Sequence, residues 1–398
     1  MTSTNLACNP RCLKEVRLMN NMKVQITVVA FHLHNWTDEK EKDLRKELGR
    51  VKFHYLEAGR KPLFAWLYST LLEKASRLVP ALLPHTPFLA ALAIDKRSYL
   101  LYDWIKRNKD GYDLIIAHNP PAFYAAAVLA KKSGTPFALD IEDYHPGEGN
   151  NKIVRDCMGY LMRRFLKKVT YASYASPLIK KYAVENEYDG DSNGSLVVNN
   201  TFPASEFVPA GSAGPVAGKL QIVWFSQFID YGRGLEKVLP SLDRFRDRIG
   251  LTLFGSIREG FFEKEIKKRE YIDCPGALSQ LQLHQSLGAF DIGLALEDGT
   301  VDLNRNLCLT NKIWSYYLTG LFIVATDTEA QQLFLKERPQ HGTCTALSGD
   351  VFGKLMEDLI ENKQAIRDGR RERLKAASGE GWENESQLLK RKWTEILS

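Results

Sequence analysis

Short apolar runs alternate along the chain with stretches that have a helical period, and this alternation defines the predicted elements. Each run is nearly all apolar, which is typical of a parallel strand covered on both faces. The predicted strands are residues 23–31, 51–55, 112–117, 136–141, 170–175, 195–199, 221–225, 251–254, 271–273, 290–296 and 321–325. Helical stretches separate most of them, so the pattern predicts an α/β protein with doubly wound parallel sheets.

A stretch rich in Gly, Ala and Pro divides the chain. Residues 206–219 (EFVPAGSAGPVAGK) have no periodicity, as is typical of a linker. A length of 398 residues is enough for two domains with full cores. We therefore predict an N-terminal domain at residues 1–205, a C-terminal domain at 220–377 and an amphipathic C-terminal helix within 378–398.

Residues 304–328 carry a chemical prediction. Thr310 is positioned to cap a short helix, residues 321–325 form a buried strand, and residues 326–328 (TDT) supply the N-cap of the next helix. Helix N-termini offer unpaired N–H groups and the positive end of a dipole, so two of them beside one strand predict an anion site. Lys312 adds a cation in the first turn of the first helix. The pattern therefore favours a phosphate-bearing ligand.

Cysteine usage and the N-terminal sequence predict the compartment. The six cysteines are scattered without a CxxC pair, which favours reduced thiols in a cytosolic protein. Residues 1–21 lack the apolar core of a secretory signal. No run reaches the ~18 consecutive apolar residues that a spanning helix needs. We therefore expect a cytoplasmic protein.

The net charge of +6 is concentrated in residues 60–109, which have nine lysines and arginines against three acidic residues. The segment is also rich in Trp, Phe, Leu and Tyr, and it predicts two or three helices broken at Pro80, Pro84 and Pro87. Two interpretations stay open: core helices that cover a sheet, or a basic aromatic surface on anionic lipid. Basic residues interleaved with long apolar runs argue against nucleic acid as a partner.

Four segments in order resemble retaining glycosyltransferases of the GT-B fold, most like family 4, over essentially the whole length. They are HNPPAFYAAAVLAKKSGTPFALDIEDYHP, YASYASPLIKKYA followed by LVVNNTF, IVWFSQFIDYGRGLEKVLPSL, and NKIWSYYLTGLFIVATDT. The resemblance implies two Rossmann-like doubly wound domains facing across a cleft, with the C-terminal helix packing back on the first domain. It makes the first domain the acceptor side and the second the nucleotide-sugar donor side.

The resemblance also assigns roles to residues. It implies catalytic roles for His118, near the transferred sugar, and for Asp143, which would orient or deprotonate an acceptor hydroxyl. The other acceptor-side candidates are His32, Asn119 and His145. The donor-binding candidates are Gln227, Arg233, Glu297, Asn304, Thr310, Asn311 and Lys312. Among these, Arg233 and Lys312 are the expected clamp on the diphosphate, because a leaving phosphate calls for fixed positive charge.

Plain structural roles remain open for the same residues, and the sequence departs from the family in three places. His118 could satisfy backbone groups at a strand end, and Arg233 could be a solvated charge at a helix start. Ser315 occupies the position of a family glutamate, and Gln227 that of a family cation. The Gly-rich turn after the first predicted strand is replaced by residues 32–34 (HLH).

The expected activity is therefore a retaining, metal-independent hexosyltransferase without a cofactor, which uses a nucleotide-diphosphate sugar as co-substrate. The expected acceptor is a glycan or a polyprenyl-linked glycan in cell-surface polysaccharide or glycoconjugate synthesis. Residues 60–109 would hold the protein on the anionic inner face of the cell membrane. Two alternatives stay open: a nucleotide-sugar epimerase of the same fold, and a non-catalytic glycan- or nucleotide-binding module.

Overall fold

A computed structural model describes residues 1–35, 37–79, 86–188, 194–207 and 218–398. The chain divides into two compact units, Met1–Asn199 with Ser386–Ser398, and Asn200–Glu385. Residues 208–217, which are most of the predicted linker, lie outside the described residues, as do the helix breaks predicted at Pro80 and Pro84.

The first unit contains two short parallel sheets, β1–β2 and β3–β4–β5–β6, with helices between the strands. Its strands are β1 (Thr27–His32), β2 (Lys52–Glu57), β3 (Ile115–His118), β4 (Phe137–Ile141), β5 (Tyr171–Tyr174) and β6 (Ser195–Val197). Its helices are α1 (Pro10–Asn21), α2 (Asp38–Glu47), α3 (Leu63–Arg77), α4 (Pro87–Ile94), α5 (Arg97–Arg107), α6 (Pro120–Ser133), α7 (Lys152–Leu166) and α8 (Pro177–Glu187).

An extended segment at residues 1–4 joins the two sheets of the first unit. The Thr2 amide donates to Val29 O and the Phe31 amide donates to Thr4 O, so the segment runs parallel to β1. On its other side Thr2 forms a parallel bridge with His118 at the end of β3. The spatial order is therefore β2, β1, the segment, β3, β4, β5, β6. The strand predicted at residues 23–31 forms as β1, with its start at Thr27. The segment at residues 1–4 was not predicted, because a largely polar segment of four residues has no apolar pattern to reveal it.

The second unit has one six-stranded sheet in which all neighbouring strands are parallel, in the order β9–β8–β7–β10–β11–β12. The strands are β7 (Leu220–Ile229), β8 (Ile249–Ile257), β9 (Ile272–Gly276), β10 (Ile292–Ala295), β11 (Phe322–Thr326) and β12 (Gly342–Thr345). Its helices are α9 (Leu235–Leu242), α10 (Glu259–Phe261), α11 (Gln280–Ser286), α12 (Leu303–Leu307), α13 (Asn311–Thr319), α14 (Glu329–Lys336), α15 (Gly349–Glu361), α16 (Lys363–Asp368) and α17 (Arg370–Ala377). Helix α18 (Trp382–Leu397) begins in this unit and continues into the first.

The helix α13 and the strand β11 form as the sequence predicts. Gly320 ends α13 in the left-handed region, with φ of +68°, and its amide donates to Tyr317 O. On the facing strand, a Cβ added to Gly293 would lie 2.3 Å from the Tyr316 ring, so only glycine allows this close packing. The apolar side chains of β7, β10 and β11 alternate between two cores, one on each face of the sheet.

The second unit differs from the prediction in the end of one strand, the number of helices near the C-terminus and one additional strand. Strand β7 continues to Ile229, past a register shift at residues 225–228, so the loop after it begins at Asp230. The helical period of residues 364–377 predicts a single helix, but the structure has two, α16 and α17, which are divided at Gly369. Strand β12 was not predicted, because Gly342–Thr345 has no apolar run. The shifted end of β7 matters most, since it fixes where the loop carrying Arg233 begins.

The C-terminal part of α18 packs with the first unit, as predicted. Residues 386–398 belong to that unit. Trp393 is completely buried there, and its indole Nε1–H donates to the Tyr171 hydroxyl over 2.7 Å. The chain therefore returns to the unit in which it began.

The basic aromatic segment 60–109 forms the three helices α3, α4 and α5. Helix α4 is a core element, because Ala90, Ala91, Leu92, Ala93 and Ile94 are all buried. Helix α3 instead leaves large apolar side chains exposed. Among the described residues, no helix has both the length and the apolar character that crossing a membrane requires.

Candidate functional site

The strand order of the second unit creates a crevice where the winding direction reverses. The reversal falls between β7 and β10, and in open α/β sheets ligands bind at the carboxyl ends of two such strands. The loop with Arg233 follows β7, and Glu297 follows β10. Lys312 in α13 completes the group: its Nζ lies 2.7 Å from Glu297 Oε1, and Arg233 Nη1 lies 4.0 Å from the same oxygen. The two cations predicted from sequence thus meet at one buried carboxylate.

The loop backbone holds Arg233 outward. Gly232 and Gly234 both have positive φ, +83° and +85°, which a residue with a side chain adopts at a cost. The Gly232 amide donates to Glu236 Oε1 over 2.8 Å, and Arg305 Nη1 donates to Gly232 O over 2.7 Å. Arg233 keeps 45% of its side chain exposed, so it is available to a ligand. Arg305 carried no signal in the sequence, since its partner lies 73 residues earlier.

Two helix N-termini meet at the carboxyl end of β11, as the sequence predicts. Helix α13 runs back along β11, and α14 begins immediately after that strand. The Glu297 amide donates to Thr326 Oγ1 over 3.0 Å, which ties the end of β10 to the same point. Thr310 and Thr328 occupy predicted N-cap positions, but neither makes a side-chain cap, and their buried hydroxyls have no hydrogen-bond partner among the residues that the structure describes. Buried polar atoms of this kind commonly serve a ligand.

The charges at this crevice favour an anion. Arg233 and Lys312 oppose one carboxylate, Glu297, which leaves one positive charge beside two positive dipole ends. The neighbouring Asp298 is neutralised separately by Lys237, whose Nζ lies 2.6 Å away. Hydrogen bonds from Lys237 and Thr300 lower the pKa of Asp298 to about 2, so it stays ionised and paired. The group formed by Arg233, Lys312 and Glu297 therefore has one positive charge in excess, which favours a phosphate group.

The other donor-side candidates are distributed around the crevice. Gln227 is exposed on β7, before the loop rather than within it. Asn304 is buried in α12, where its carbonyl accepts from the Cys308 amide. Asn311 is exposed at the first position of α13, with its Oδ1 3.5 Å from Asn200 Nδ2.

Ser315 lies in a buried chain of polar groups that the sequence did not predict. Its hydroxyl donates to Asn311 O over 2.9 Å and lies 3.0 Å from His284 Nε2. His284 Nδ1 lies 2.8 Å from Glu206 Oε2. A carboxylate is thus linked to α13 through an imidazole and the Ser315 hydroxyl. Glu206 lies 78 residues before His284, so no local pattern indicates the pair.

The first unit has a corresponding crevice, lined by residues 5–9 after the N-terminal segment and by the end of β3. Here His118 is buried between two carboxylates: its Nε2 lies 3.5 Å from Glu15, and its Nδ1 lies 3.2 Å from Asp140. Arg11 bridges the same carboxylates, at 3.3 Å from Glu15 and 3.1 Å from Asp140. Ser173 donates to Asp140 over 2.5 Å. Sequence reasoning missed Arg11, Glu15 and Asp140, because the contacts that bring α1 to β3 and β4 join residues more than a hundred positions apart.

The four charged groups Arg11, Glu15, His118 and Asp140 form what we call the ion cluster. Burial opposes a charged imidazole, but Cys12, Glu15 and Asp140 outweigh it and raise the pKa of His118 well above its usual 6.5. Burial likewise opposes ionisation of Asp140, yet Arg11 and His118 hold its pKa below the usual range. The ion cluster therefore contains two positive and two negative charges and is neutral as a whole.

One potential ligand atom from each of Glu15, His118 and Asp140 lies within 4.8 Å of the other two, which resembles a metal site. The charges argue against that use. Arg11 already contacts both carboxylates, and His118 carries its own proton, so a cation would have to displace one positive group and deprotonate another. The residues fit a closed ion network better than a metal centre.

Glu142 connects the ion cluster to the surface. Its Oε1 accepts from Asn9 Nδ2 over 2.8 Å and lies 3.3 Å from His118 Nδ1, while 17% of its side chain is exposed. Asn9 also donates to Asn119 Oδ1 over 3.3 Å. Asn119 has φ of +69° and ψ of +143°, a region normally occupied by glycine, which is a strain often found at functional sites.

The remaining acceptor-side candidates lie on the same edge of the sheet but outside the ion cluster. Asp143 is half-buried, and its carbonyl accepts from the His145 amide over 2.9 Å. His145 is buried with its Nδ1 3.2 Å from Glu148. His32 stacks on Tyr55 with ring centroids 4.4 Å apart. The loop after β4 thus presents Glu142, rather than Asp143, to the group around His118.

No protein-family model and no curated protein sequence matches the chain. Solved structures do. HepE (Alr3699) of Anabaena, in complex with UDP, aligns with a TM-score of 0.64 at 14% identity, covering 99% of this chain and 98% of HepE. The chain has the GT-B fold. A glycosyltransferase of Rickettsia africae aligns at 0.62 and 12% identity over 100% of this chain and 97% of its own length.

A third similar structure bears on the alternatives. A putative UDP-N-acetylglucosamine 2-epimerase of Listeria monocytogenes aligns with a TM-score of 0.55 at 10% identity, covering 93% of this chain and 89% of that protein. The shared architecture confirms two Rossmann-like units. It does not by itself choose between transfer and epimerisation, because folds host several chemistries.

Proposed function

We propose that the protein is a glycosyltransferase that uses a nucleoside diphosphate sugar as donor. The observation that carries the proposal is the meeting of Arg233, Lys312 and two helix N-termini at the switch point of the second sheet. Fixed donors and cations aimed at a phosphate stabilise the charge that develops when a nucleotide leaves. Two structures of this fold, HepE with UDP and HepE with UDP-glucose, make UDP the first nucleotide to test.

We propose a retaining transfer as the chemistry. The bond between the sugar C1 and the phosphate oxygen breaks, and a bond from C1 to the acceptor oxygen forms on the same face. The departing phosphate takes the proton of the acceptor hydroxyl, and Arg233 and Lys312 neutralise the charge that remains. No metal is needed in this scheme, so turnover is expected to continue when a chelator is present. NMR of the product tests retention through its anomeric configuration.

The acceptor in this proposal is a glycan or polyprenyl-linked glycan for cell-surface polysaccharide or glycoconjugate synthesis. It binds at the first unit, where the partly exposed Glu142 lies beside the ion cluster, next to Asn119 and the loop 143–148. His118 acts through Glu142 rather than by touching the sugar, because both of its ring nitrogens face carboxylates. The net charge of residues 60–109 supports a location at the inner face of the cell membrane.

Calorimetric titration with UDP, GDP, ADP and CMP tests the donor site. We expect one nucleotide, UDP, to bind, and Arg233→Ala to weaken its binding by on the order of tenfold because a charge-assisted contact is lost. Lys312→Gln is expected to weaken it similarly. Arg246→Ala is the matched control, since Arg246 is an exposed arginine of the same unit at the opposite edge of the sheet.

Thermal unfolding of each variant separates lost binding from lost folding, because Lys312 also neutralises Glu297. If UDP binds folded Arg233→Ala as tightly as wild type, the phosphate site is elsewhere. If no nucleotide binds the folded wild type, the donor site is degenerate and the binding-module alternative replaces the proposal.

The epimerase alternative is favoured by one observation, the likeness to the Listeria protein. It requires the donor site but no acceptor. Incubation with UDP-N-acetylglucosamine alone distinguishes the two: an epimerised donor in the absence of acceptor establishes the alternative, whereas UDP release that depends on acceptor supports transfer.

A further inference from the structure

Helix α3 has reversed polarity for a surface helix. The side turned to solvent is apolar, and exposed apolar side chains continue directly after the end of the helix. Its exposed members are Leu63, Phe64, Leu67, Tyr68, Leu71, Leu78 and Val79, with Phe64 and Leu78 each 81% exposed. The side turned to the protein includes Ser69 and Ser76, both buried. Surface helices ordinarily show the opposite arrangement, so this exposed face is adapted to an apolar environment.

Specific contacts fix this orientation. Glu73 pairs with Arg77 at 2.8 Å and accepts from the Lys96 amide over 3.1 Å at the start of α5. Arg77 donates to Ala93 O over 2.7 Å and to Ile94 O over 3.1 Å, at the end of α4. The charged side chains thus hold α3 against α4 and α5, and rotating the helix to hide its leucines would break these bonds.

The charges around the exposed face are positive. Arg60, Lys61 and Lys74 are exposed, whereas Glu73, the only acidic residue in 60–79, is turned toward the protein. Trp66 lies between Arg60 and Lys96, whose cationic groups are 5.9 and 5.5 Å from its ring. An exposed apolar stripe with flanking cations is the pattern of a helix that lies in an anionic bilayer surface.

We propose that α3 lies in the interface of an anionic membrane, with its exposed apolar side chains among the lipid acyl chains. The charge favours lipid over a second copy of the chain, because pairing two such faces would bring like charges together. The inference rests on the proposed transfer to a lipid-linked acceptor and names the element that would hold the enzyme at that acceptor.

The topology links this helix to the acceptor site. Helix α3 follows β2 after residues 58–62, so it begins at the carboxyl edge of the first sheet. At the N-terminus of α5, Arg97 lies over the Phe31 ring near the end of β1, 5.7 Å from its centroid. His118 ends β3 and Glu142 follows β4, so both lie at this carboxyl edge, because the strands are parallel. A membrane bound by α3 therefore lies at the edge where the acceptor would bind.

Vesicle flotation of the full chain tests the inference, with vesicles of phosphatidylcholine and of phosphatidylcholine mixed with phosphatidylglycerol. Wild type is expected to float with the mixed vesicles and to stay partly bound at high salt, since apolar contacts are not screened. The double variant Phe64→Ser, Leu71→Ser is expected to lower the partition coefficient by on the order of tenfold or more. The control Leu281→Ser, Val351→Ser removes comparably exposed side chains of the second unit and is expected to bind like wild type.

Three results would overturn the inference: no flotation of wild type with either vesicle, equal flotation of the α3 double variant, or a dimer in sedimentation that this variant converts to monomer. The UDP titration is measured on the same proteins without lipid. Lost flotation with intact UDP binding refutes only the membrane inference, and lost UDP binding refutes only the proposed function.

Discussion

In the first unit, buried charge determines how much stability is lost when a single charged residue is removed. Arg11, Glu15, His118 and Asp140 are all nearly inaccessible to water, and each relies on the opposite charges beside it. Removing one member leaves another buried charge uncompensated, which costs far more than losing a surface ion pair.

Asp140→Asn is expected to reduce the free energy of unfolding by about 3–5 kcal/mol, because Arg11 and His118 lose their shared counter-charge. Urea denaturation measures the change. Asp110→Asn serves as the control, since its pair with Lys52 is exposed and should contribute no measurable stability. Equal effects of the two substitutions would mean that the ion cluster is not buried in solution.

The pH dependence of His118 has a defined sign. Its pKa is raised in the folded protein, so its contribution to stability is complete below about pH 6.5 and is lost as the pH rises through the folded pKa. The difference in unfolding free energy between wild type and His118→Gln should therefore shrink at alkaline pH. Urea titrations across that range check the trend; a difference that grows with pH would contradict a charged His118.

At the scale of elements, the helix that carries Lys312 is positioned by close packing on β10. Gly293→Ala would drive a methyl group into the Tyr316 ring and push α13 away from the sheet. We expect a loss of about 1–3 kcal/mol of stability, as for an overpacked core, together with weaker UDP binding. Calorimetric titration of the folded variant with UDP measures the second effect.

Gly260→Ala is the control for this substitution, because a Cβ there meets nothing within 4 Å. If Gly293→Ala binds UDP normally, the position of α13 does not matter for the donor site.

Local sequence pattern decided which elements could be predicted. Lys312 and Gly320 were predictable, because a cap, a helical period, a left-handed stop and an apolar strand follow one another within 25 residues. The segment 1–4 was not, because its place in the sheet comes from backbone hydrogen bonds made by polar residues. Because this segment was not predicted, the roles of Arg11 and Glu15 were not predicted either. Their partners lie more than a hundred residues away in β3 and β4.

At the scale of the whole molecule, the C-terminal helix connects the end of the chain to the first unit. Tyr171→Phe removes the acceptor of the buried Trp393 N–H and should cost about 1–3 kcal/mol, the penalty for an unsatisfied buried donor. Hydrogen exchange is expected to accelerate in β5 and in residues 386–397, while β10 and β11 stay protected. Faster exchange in β10 would show that the effect is not confined to the first unit.

The neutral ion cluster also constrains how this sequence can drift over evolutionary time. A lineage that loses Asp140 would be expected to lose Arg11 or the charge of His118 as well, since a buried positive charge would otherwise have no counter-charge. Substitutions at these four positions should therefore covary among related chains, even where the surrounding loops have diverged. Chains in which only one of the four charges is lost should be rare.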